Sequence, residues 1–267
     1  MIDGATRVFA ILGNPVAHSL SPTMHNAVFR TLGLPAVYVP LLCPAEEVPT
    51  LIRALGKAGG GGNVTIPHKE IAARAVDVSS DLVETVEACN TFWSDDGATA
   101  GDNTDVVGVL KALRELDAPR APWLIAGTGG GARAAVVAAR ECGVGVAVTS
   151  RDAGRRSRFE SWVCSRGVEL VGAEECRVLI NSTPLGLRKG DPLPIQPEVA
   201  PHAQVALDMV YVRGETEWVR AMRSRVRRAA DGRGMLVAQG AAAFELWFPQ
   251  ERAPTEVMRA AVNAALR

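Results

Sequence analysis

Two groups of residues have types and spacing suited to chemistry. The first is Gly127-Thr128-Gly129-Gly130-Gly131, which follows the apolar run Trp123-Leu124-Ile125-Ala126 and precedes an Ala- and Val-rich stretch ending near Cys142. A glycine turn between a strand and a helix is the setting in which a dinucleotide pyrophosphate is bound. Gly127 permits the tight turn. Gly129 and Gly130 let the backbone approach the pyrophosphate, which then rests on the free N–H groups of the helix start. The plainer reading is a tight turn in an α/β sheet. The next strand, Val144 to Thr149, ends in Ser150-Arg151, with Arg155 and Arg156 beyond. An NAD site usually places an acid there to hold the ribose 2′-OH, whereas a guanidinium matches a 2′-phosphate in charge and fork geometry. The pattern favours NADP, and Asp152 keeps NAD open, since a carboxylate there could repel the phosphate or accept from a ribose.

The second group suits proton transfer. The chain holds 25 Arg but only four Lys: Lys57, Lys69, Lys111 and Lys189. Lys does proton chemistry that Arg cannot. Lys69 lies in Asn63-Val64-Thr65-Ile66-Pro67-His68-Lys69-Glu70, a polar cluster at a strand end after a Gly-rich run, and Asp105 ends Gly101-Asp102-Asn103-Thr104-Asp105. If the two met at a cleft between domains, the lysine would share a proton with a substrate oxygen. The aspartate would orient it and stabilise its charged form. A surface lysine and a helix-capping aspartate are the plainer alternatives.

These residues need a scaffold. Val8–Leu12, Val37–Leu41 and Asn63–Ile66 are predicted strands. Helices are expected from Ser21-Pro22, from Pro44 to about Lys57, and from Thr104 to Leu116, with Gly59–Gly62 as a loop. Further strands are expected at Val178–Asn181 and Val205–Asp208, and final helices at Leu236–Trp247 and Glu256–Leu266. Alternating strands and helices mark an α/β fold, and the second half has the spacing of a nucleotide-binding sheet. The run Arg220–Arg228 is expected to be the solvated face of a helix.

The whole chain has 267 residues and a formal net charge of zero, which argues against a dedicated nucleic-acid or membrane-surface binder. Five cysteines without a C-x-x-C pair exclude a disulfide framework or zinc knuckle and suit reduced thiols in a cytoplasm. No signal peptide or membrane span is expected. His18, His25 and His68 have no local metal-ligand spacing, so no metal is expected.

Taken together, the motifs resemble the shikimate dehydrogenase family nearly end to end. They are Gly13-Asn14-Pro15 with His18-Ser19-Leu20-Ser21-Pro22, the Asn63–Glu70 run, Cys89-Asn90-Thr91, Gly101–Asp105, Asn181-Ser182-Thr183, Asp208-Met209-Val210-Tyr211 and Asp231–Gln239. The resemblance implies an N-terminal α/β substrate domain (1–104 with 239–267) and a Rossmann-type doubly wound NADP-binding domain (105–238), with a cleft between them. It implies that Lys69 and Asp105 are the catalytic pair. Ser19, Ser21, Asn63, Thr65, Asn90, Tyr211 and Gln239 would surround the substrate, the two serines holding its carboxylate. Gly127, Thr128, Gly129, Gly130, Gly131, Ser150, Arg151, Arg155, Thr183, Met209 and Gly232 would line the cofactor site. The implied activity is reversible reduction of 3-dehydroshikimate with NADPH by a cytoplasmic monomer or homodimer whose partner is a small molecule. A quinate or aminoshikimate dehydrogenase, or a ligand sensor on the same scaffold, are the alternatives. Ser150-Arg151-Asp152 departs from the family's common Asn-Arg-Thr, His68 stands where many members carry Phe, and Gly131 replaces a usual Ala. The plainer rivals are an N-cap role for Ser21, a core role for Tyr211 and a helix-surface position for Gln239.

Overall fold

Phe9, Ala10 and Leu12 are fully buried, and the apolar run that holds them stops at the turn residues Asn14-Pro15. In the computed structural model, which describes residues 2–267, this run is strand β1 (Arg7–Gly13). The chain forms two units: Met1–Thr104 with Leu236–Ala265, and Asp105–Met235 with Leu266–Arg267.

In the first unit, β1 is followed by α1 (Ser21–Thr31), β2 (Ala36–Leu42), α2 (Val48–Lys57), β3 (Gly61–Val64), α3 (Lys69–Ala73), β4 (Val78–Ser79), α4 (Asp81–Val86), β5 (Thr91–Asp95) and β6 (Ala98–Asp102). The sheet order is β2-β1-β3-β5-β6-β4. It is mixed: β5 runs antiparallel to both β3 and β6. The β5–β6 connection is Asp96-Gly97, both at positive φ, a two-residue turn whose twist suits a hairpin.

The Gly59–Gly62 run is not wholly a loop. Gly61 and Gly62 open β3, the central strand between β1 and β5. A Cβ on Gly60, Gly61 or Gly62 would collide with the backbone oxygens of Val8, Phe92 and Ala10 respectively. Close strand approach, not flexibility, accounts for these glycines.

Helix α10 (Thr255–Ala265) returns to pack on α1. Helix α9 (Arg233–Trp247) supplies Phe244 and Trp247 to an aromatic core with Phe9, Phe29 and Tyr38; Phe9 and Trp247 have ring centroids 4.9 Å apart. His25 is fully buried there, stacked on Tyr38 at 4.8 Å, with no hydrogen-bond partner on either ring nitrogen. Burial pushes its pKa down to about 3. Between the ordinary histidine range and about pH 3, the unfolded chain binds a proton that the folded chain refuses, so His25 removes stability as pH falls. His25→Phe keeps the ring stack and removes this term. Urea unfolding of wild type and variant should therefore give a difference that moves in the variant's favour on acidification from about pH 7 to about pH 5, by up to roughly 1.4 kcal/mol per pH unit below the unfolded pKa. A pH-independent difference would contradict it.

The second unit contains α5 (Asp105–Glu115), β7 (Trp123–Ala126), α6 (Gly130–Cys142), β8 (Val146–Thr149), α7 (Ala153–Ser165), β9 (Val178–Asn181), β10 (Val205–Asp208), α8 (Glu217–Met222) and β11 (Arg228–Ala230). Its five strands are all parallel in the order β11-β10-β9-β7-β8. Counted within the unit this is a 2-1-3-4-5 doubly wound sheet, whose strand order reverses at β7. Ligands of such sheets bind beyond the carboxyl ends of the strands at that reversal, which is where the glycine turn lies.

The basic run Arg220–Arg228 is solvated but is not one helix face. Helix α8 buries Trp218, Val219 and Met222 and ends at Met222, after which the chain turns toward β11. Its arginines make exposed ion pairs such as Arg225–Glu198 (3.4 Å) and Arg228–Asp117 (2.7 Å), which stabilise little.

Candidate active site

In the first unit, the turn after β1 brings two serines to the start of α1. The amide of Ser21 donates to Ser19 Oγ at 3.3 Å, so Ser19 satisfies an orphan amide at the helix start. Ser21 is not the N-cap. Leu20 occupies that position without a side-chain cap, and Ser21 is buried in the first turn beside Pro22.

Asn63, near the end of β3, is buried. Its Oδ1 accepts from Tyr38 Oη at 2.8 Å, and its Nδ2 donates to the Asn90 carbonyl at 3.1 Å. Asn90 Oδ1 accepts the Thr104 amide at 2.8 Å, and Asn90 Nδ2 reaches Gln239 Oε1 at 3.5 Å. Gln239 is therefore not a surface amide: it is 9% exposed and also donates to the Leu236 carbonyl at 2.9 Å. Asn63, Asn90 and Gln239 come from residues far apart in the chain, and buried polar groups joined this way have fixed orientations. Thr65 lies against Gly13, where a Cβ would strike its methyl group.

Lys69 opens α3 and is half-buried, and its carbonyl accepts the Cys89 amide at 2.9 Å. This places it next to the segment that carries Asn90. Burial raises the Cys89 thiol to about 12, against the lowering charge of Lys69 nearby. Preceding it, His68 is buried with its Nε2 2.9 Å from the Cys43 carbonyl, a packing role. Asp105 and Tyr211 belong to the second unit: Asp105 is buried in the first turn of α5, and Tyr211 is half-buried after β10.

In the second unit, Gly127 has φ +111°, and a Cβ there would meet Ser182 Oγ at 2.6 Å and Thr183 Cγ2 at 3.2 Å. The turn thus needs glycine, and it lies beside Thr183. Thr128 is half-buried in the same turn. Gly129, the N-cap of α6, makes no side-chain cap bond, and a Cβ added to it would meet nothing within 4 Å. An uncapped start of a 13-residue helix, with open space before it and no acid in its first turn, fits a dinucleotide pyrophosphate. A Cβ on Gly131 would sit 3.3 Å from Met209 Sδ, so only the end of a flexible side chain would have to give way. Gly232 lies against the Met209 backbone. Half-buried Ser150 and exposed Arg151 follow β8, and Arg155 is in the first turn of α7. Asp152 is the N-cap of α7, accepting the Arg155 amide at 2.8 Å, and its carboxylate stands 3.9 Å from Arg155 Nε.

Sequence reasoning quoted Asn181 and Asp208 within motifs but gave neither a role, and they hold this end of the sheet. Asn181 Oδ1 accepts from Thr183 Oγ1 at 2.7 Å, and its Nδ2 donates to Asp208 Oδ1 at 2.8 Å. Asp208 also accepts Thr216 Oγ1 at 2.7 Å and the Val210 amide at 3.0 Å. Burial lifts its carboxyl to about 6 against these bonds. A polar residue ending each of two apolar strands was the available signal.

Known proteins resemble this chain in sequence and fold. The model of the shikimate dehydrogenase substrate binding domain matches residues 11–92, and that of the shikimate 5′-dehydrogenase C-terminal domain matches 232–262. Shikimate dehydrogenase (NADP(+)) of Microcystis aeruginosa is 36% identical over 98% of both chains. The chain belongs to the shikimate dehydrogenase family. The enzyme of the same name from Thermus thermophilus is 37% identical over 90% of this chain and 91% of its own. Among solved family members, the shikimate 5-dehydrogenase of Thermus thermophilus in complex with NADP(H) and shikimate matches with a TM-score of 0.88 and 34% identity over the full length of both chains. That of Listeria monocytogenes, in complex with shikimate and NAD, matches with a TM-score of 0.84 and 26% identity over 97% of each. The family's α/β architecture is the one described above.

Proposed function

We propose that this chain is an NADP-dependent shikimate dehydrogenase, interconverting 3-dehydroshikimate and shikimate on the route to chorismate and the aromatic amino acids. The observation that carries the reading is the buried amide cluster of Asn63, Asn90 and Gln239, in the unit where the Lys69 carbonyl bonds the residue before Asn90, in a chain whose other unit presents an uncapped glycine turn followed by Arg151 and Arg155. The first unit, with the C-terminal helices, is the substrate domain, and the second binds the dinucleotide. No helix among the described residues is long and apolar enough to cross a membrane, and a cytoplasmic monomer or homodimer is the accompanying reading.

NADPH, when bound, supplies hydride to the substrate carbonyl. Lys69 Nζ gives a proton to the oxygen as it becomes a hydroxyl, and takes one back in the oxidative direction. Asp105, the acid that ends the Gly101–Asp105 motif, is the second member of the catalytic pair. The amides of Asn63, Asn90 and Gln239, with Thr65, hold the ring hydroxyls. The hydroxyls of Ser19, Ser21 and Tyr211 donate to the carboxylate, since a small anion needs donors but not necessarily a cation. Gly127–Gly131, Thr183, Met209 and Gly232 would hold the dinucleotide, and Ser150, Arg151 and Arg155 would hold its 2′-phosphate.

Incubation of the purified chain with shikimate and NADP should yield 3-dehydroshikimate and NADPH in equal amounts; NADPH without that product would reject the substrate. Ser19→Ala should raise the KM for shikimate roughly tenfold or more, the usual size of a lost hydrogen bond to a charged group, and leave NADP binding unchanged. An unaltered KM would return Ser19 to its role at the helix start.

A further inference from the structure

The second unit holds a buried acid that the proposed function does not use. Asp208 ends β10 with no exposed surface, and donors from three segments converge on it. Its Oδ1 accepts Asn181 Nδ2, from the end of β9, at 2.8 Å and the Val210 amide, from the turn after β10, at 3.0 Å. Its Oδ2 accepts Thr216 Oγ1, at the start of α8, at 2.7 Å. Two of these segments carry residues assigned above to the cofactor site. Asn181, so fixed, turns its own Oδ1 to the Thr183 amide at 3.0 Å and the Thr183 hydroxyl at 2.7 Å, and that hydroxyl accepts the Leu185 amide at 3.2 Å. Met209 lies between Asp208 and Val210. Its amide donates to the Asn181 carbonyl at 2.9 Å, and its backbone packs on Gly232, whose amide donates to the Val210 carbonyl at 3.0 Å.

We propose that Asp208 is a positioning residue for the dinucleotide: its carboxylate gathers Asn181, Val210 and Thr216 so that Thr183 and Met209 stand where the cofactor meets them. The inference rests on the reading that Thr183 and Met209 line that site. An ionised acceptor bonds about twice as strongly as a neutral one, so the hold is firm only while Asp208 is charged. Burial lifts its carboxyl to about 6, and the like charge of Asp231, which is paired with Arg233 at 3.1 Å, adds to the lift. The other groups that face it, Asn181, Thr216 and the Gly186 backbone, are uncharged. The hold therefore slackens as Asp208 takes up its proton. The folded chain takes up that proton more readily than the unfolded one, so acidification adds stability at Asp208 while it loosens the cofactor site. Asp208→Asn keeps the shape, with an oxygen for Asn181 and Val210 and an amide for Thr216 Oγ1, and mimics the neutral acid at every pH.

Calorimetric titration of the full chain with NADP and with NAD tests this apart from turnover. At about pH 8, Asp208→Asn should raise the Kd for each dinucleotide about three- to tenfold and leave the KM for shikimate, at saturating NADP, within about twofold. On acidification through about pH 6, the wild type should lose NAD affinity until it meets the variant, whose own NAD affinity should stay flat. NAD is the probe for this trend because it lacks the 2′-phosphate, a group that titrates in the same range. Should Asp208→Asn fail to fold, the wild type still decides. Its NAD binding near pH 6 should release protons, read as a dependence of the binding heat on the buffer's ionisation heat, and an NAD Kd that is the same at about pH 5 and about pH 8 overturns the proposal. A wild type that binds neither dinucleotide defeats the cofactor reading, and the proposal with it. If the wild type binds and Asp208→Asn matches its Kd values at about pH 8, or only unfolds more readily in urea, the site stands and the positioning role of Asp208 is overturned.

Discussion

Lys69→Ala should lower kcat by roughly 10²–10⁴, the range over which a lost acid–base group usually acts, with the KM for shikimate moving far less. Residue type is the first reason. An ammonium can exchange its proton during turnover, whereas a guanidinium cannot, so Lys69→Arg should be nearly as damaged as Lys69→Ala despite keeping the charge. Position supports it: Lys69 opens α3, bonded through its carbonyl to Cys89, the neighbour of Asn90. Asp105→Asn should also depress kcat. The double variant should be little worse than the worse single one, because two groups acting as a unit are not additive. Steady-state kinetics in both directions check this. Near-normal kcat with a raised KM in Lys69→Ala would make Lys69 a binding residue and leave the proton to another group.

Arg151→Ala should raise the KM for NADP by about 10- to 150-fold and that for NAD little, because a charge-assisted contact is worth about 1.5–3 kcal/mol. Arg151 is exposed at the end of β8. A guanidinium there has little to offer a ribose hydroxyl and much to offer a phosphate. Kinetics with each cofactor at saturating shikimate decide it, and equal losses with both would reject the assignment.

Much of this is legible in the chain. The glycine turn of 127–131 stands between a strand and a helix as its composition requires, because a backbone at φ +111° pressed on Ser182 admits little but glycine. Lys69 stands out as one of only four lysines, and Asn90 is legible through the Cys89-Asn90-Thr91 motif. The Gly59–Gly62 run misleads because a glycine needed for flexibility and one needed for close strand approach look identical in sequence; the difference lies in Val8, Ala10 and Phe92, which only the sheet brings near. The antiparallel hairpin is marked by Asp96-Gly97, a signal easily lost among alternating elements. Tyr38 escapes a sequence reading, and Asn181 and Asp208 appear in it only inside motifs with no role of their own, because their importance lies in hydrogen bonds to distant residues, which have no local periodicity. The basic run at 220–228 reads as one helix because its arginines hide the point where Met222 ends it.

The most direct test is the ratio kcat/KM measured for shikimate, quinate and aminoshikimate, each with NADP and with NAD, on the purified chain. The highest value should belong to shikimate with NADP, and it should collapse in Lys69→Ala. A higher value for quinate or aminoshikimate, or for NAD with any of the three, would contradict the assignment of substrate or cofactor, and turnover of none of them would contradict the enzyme itself.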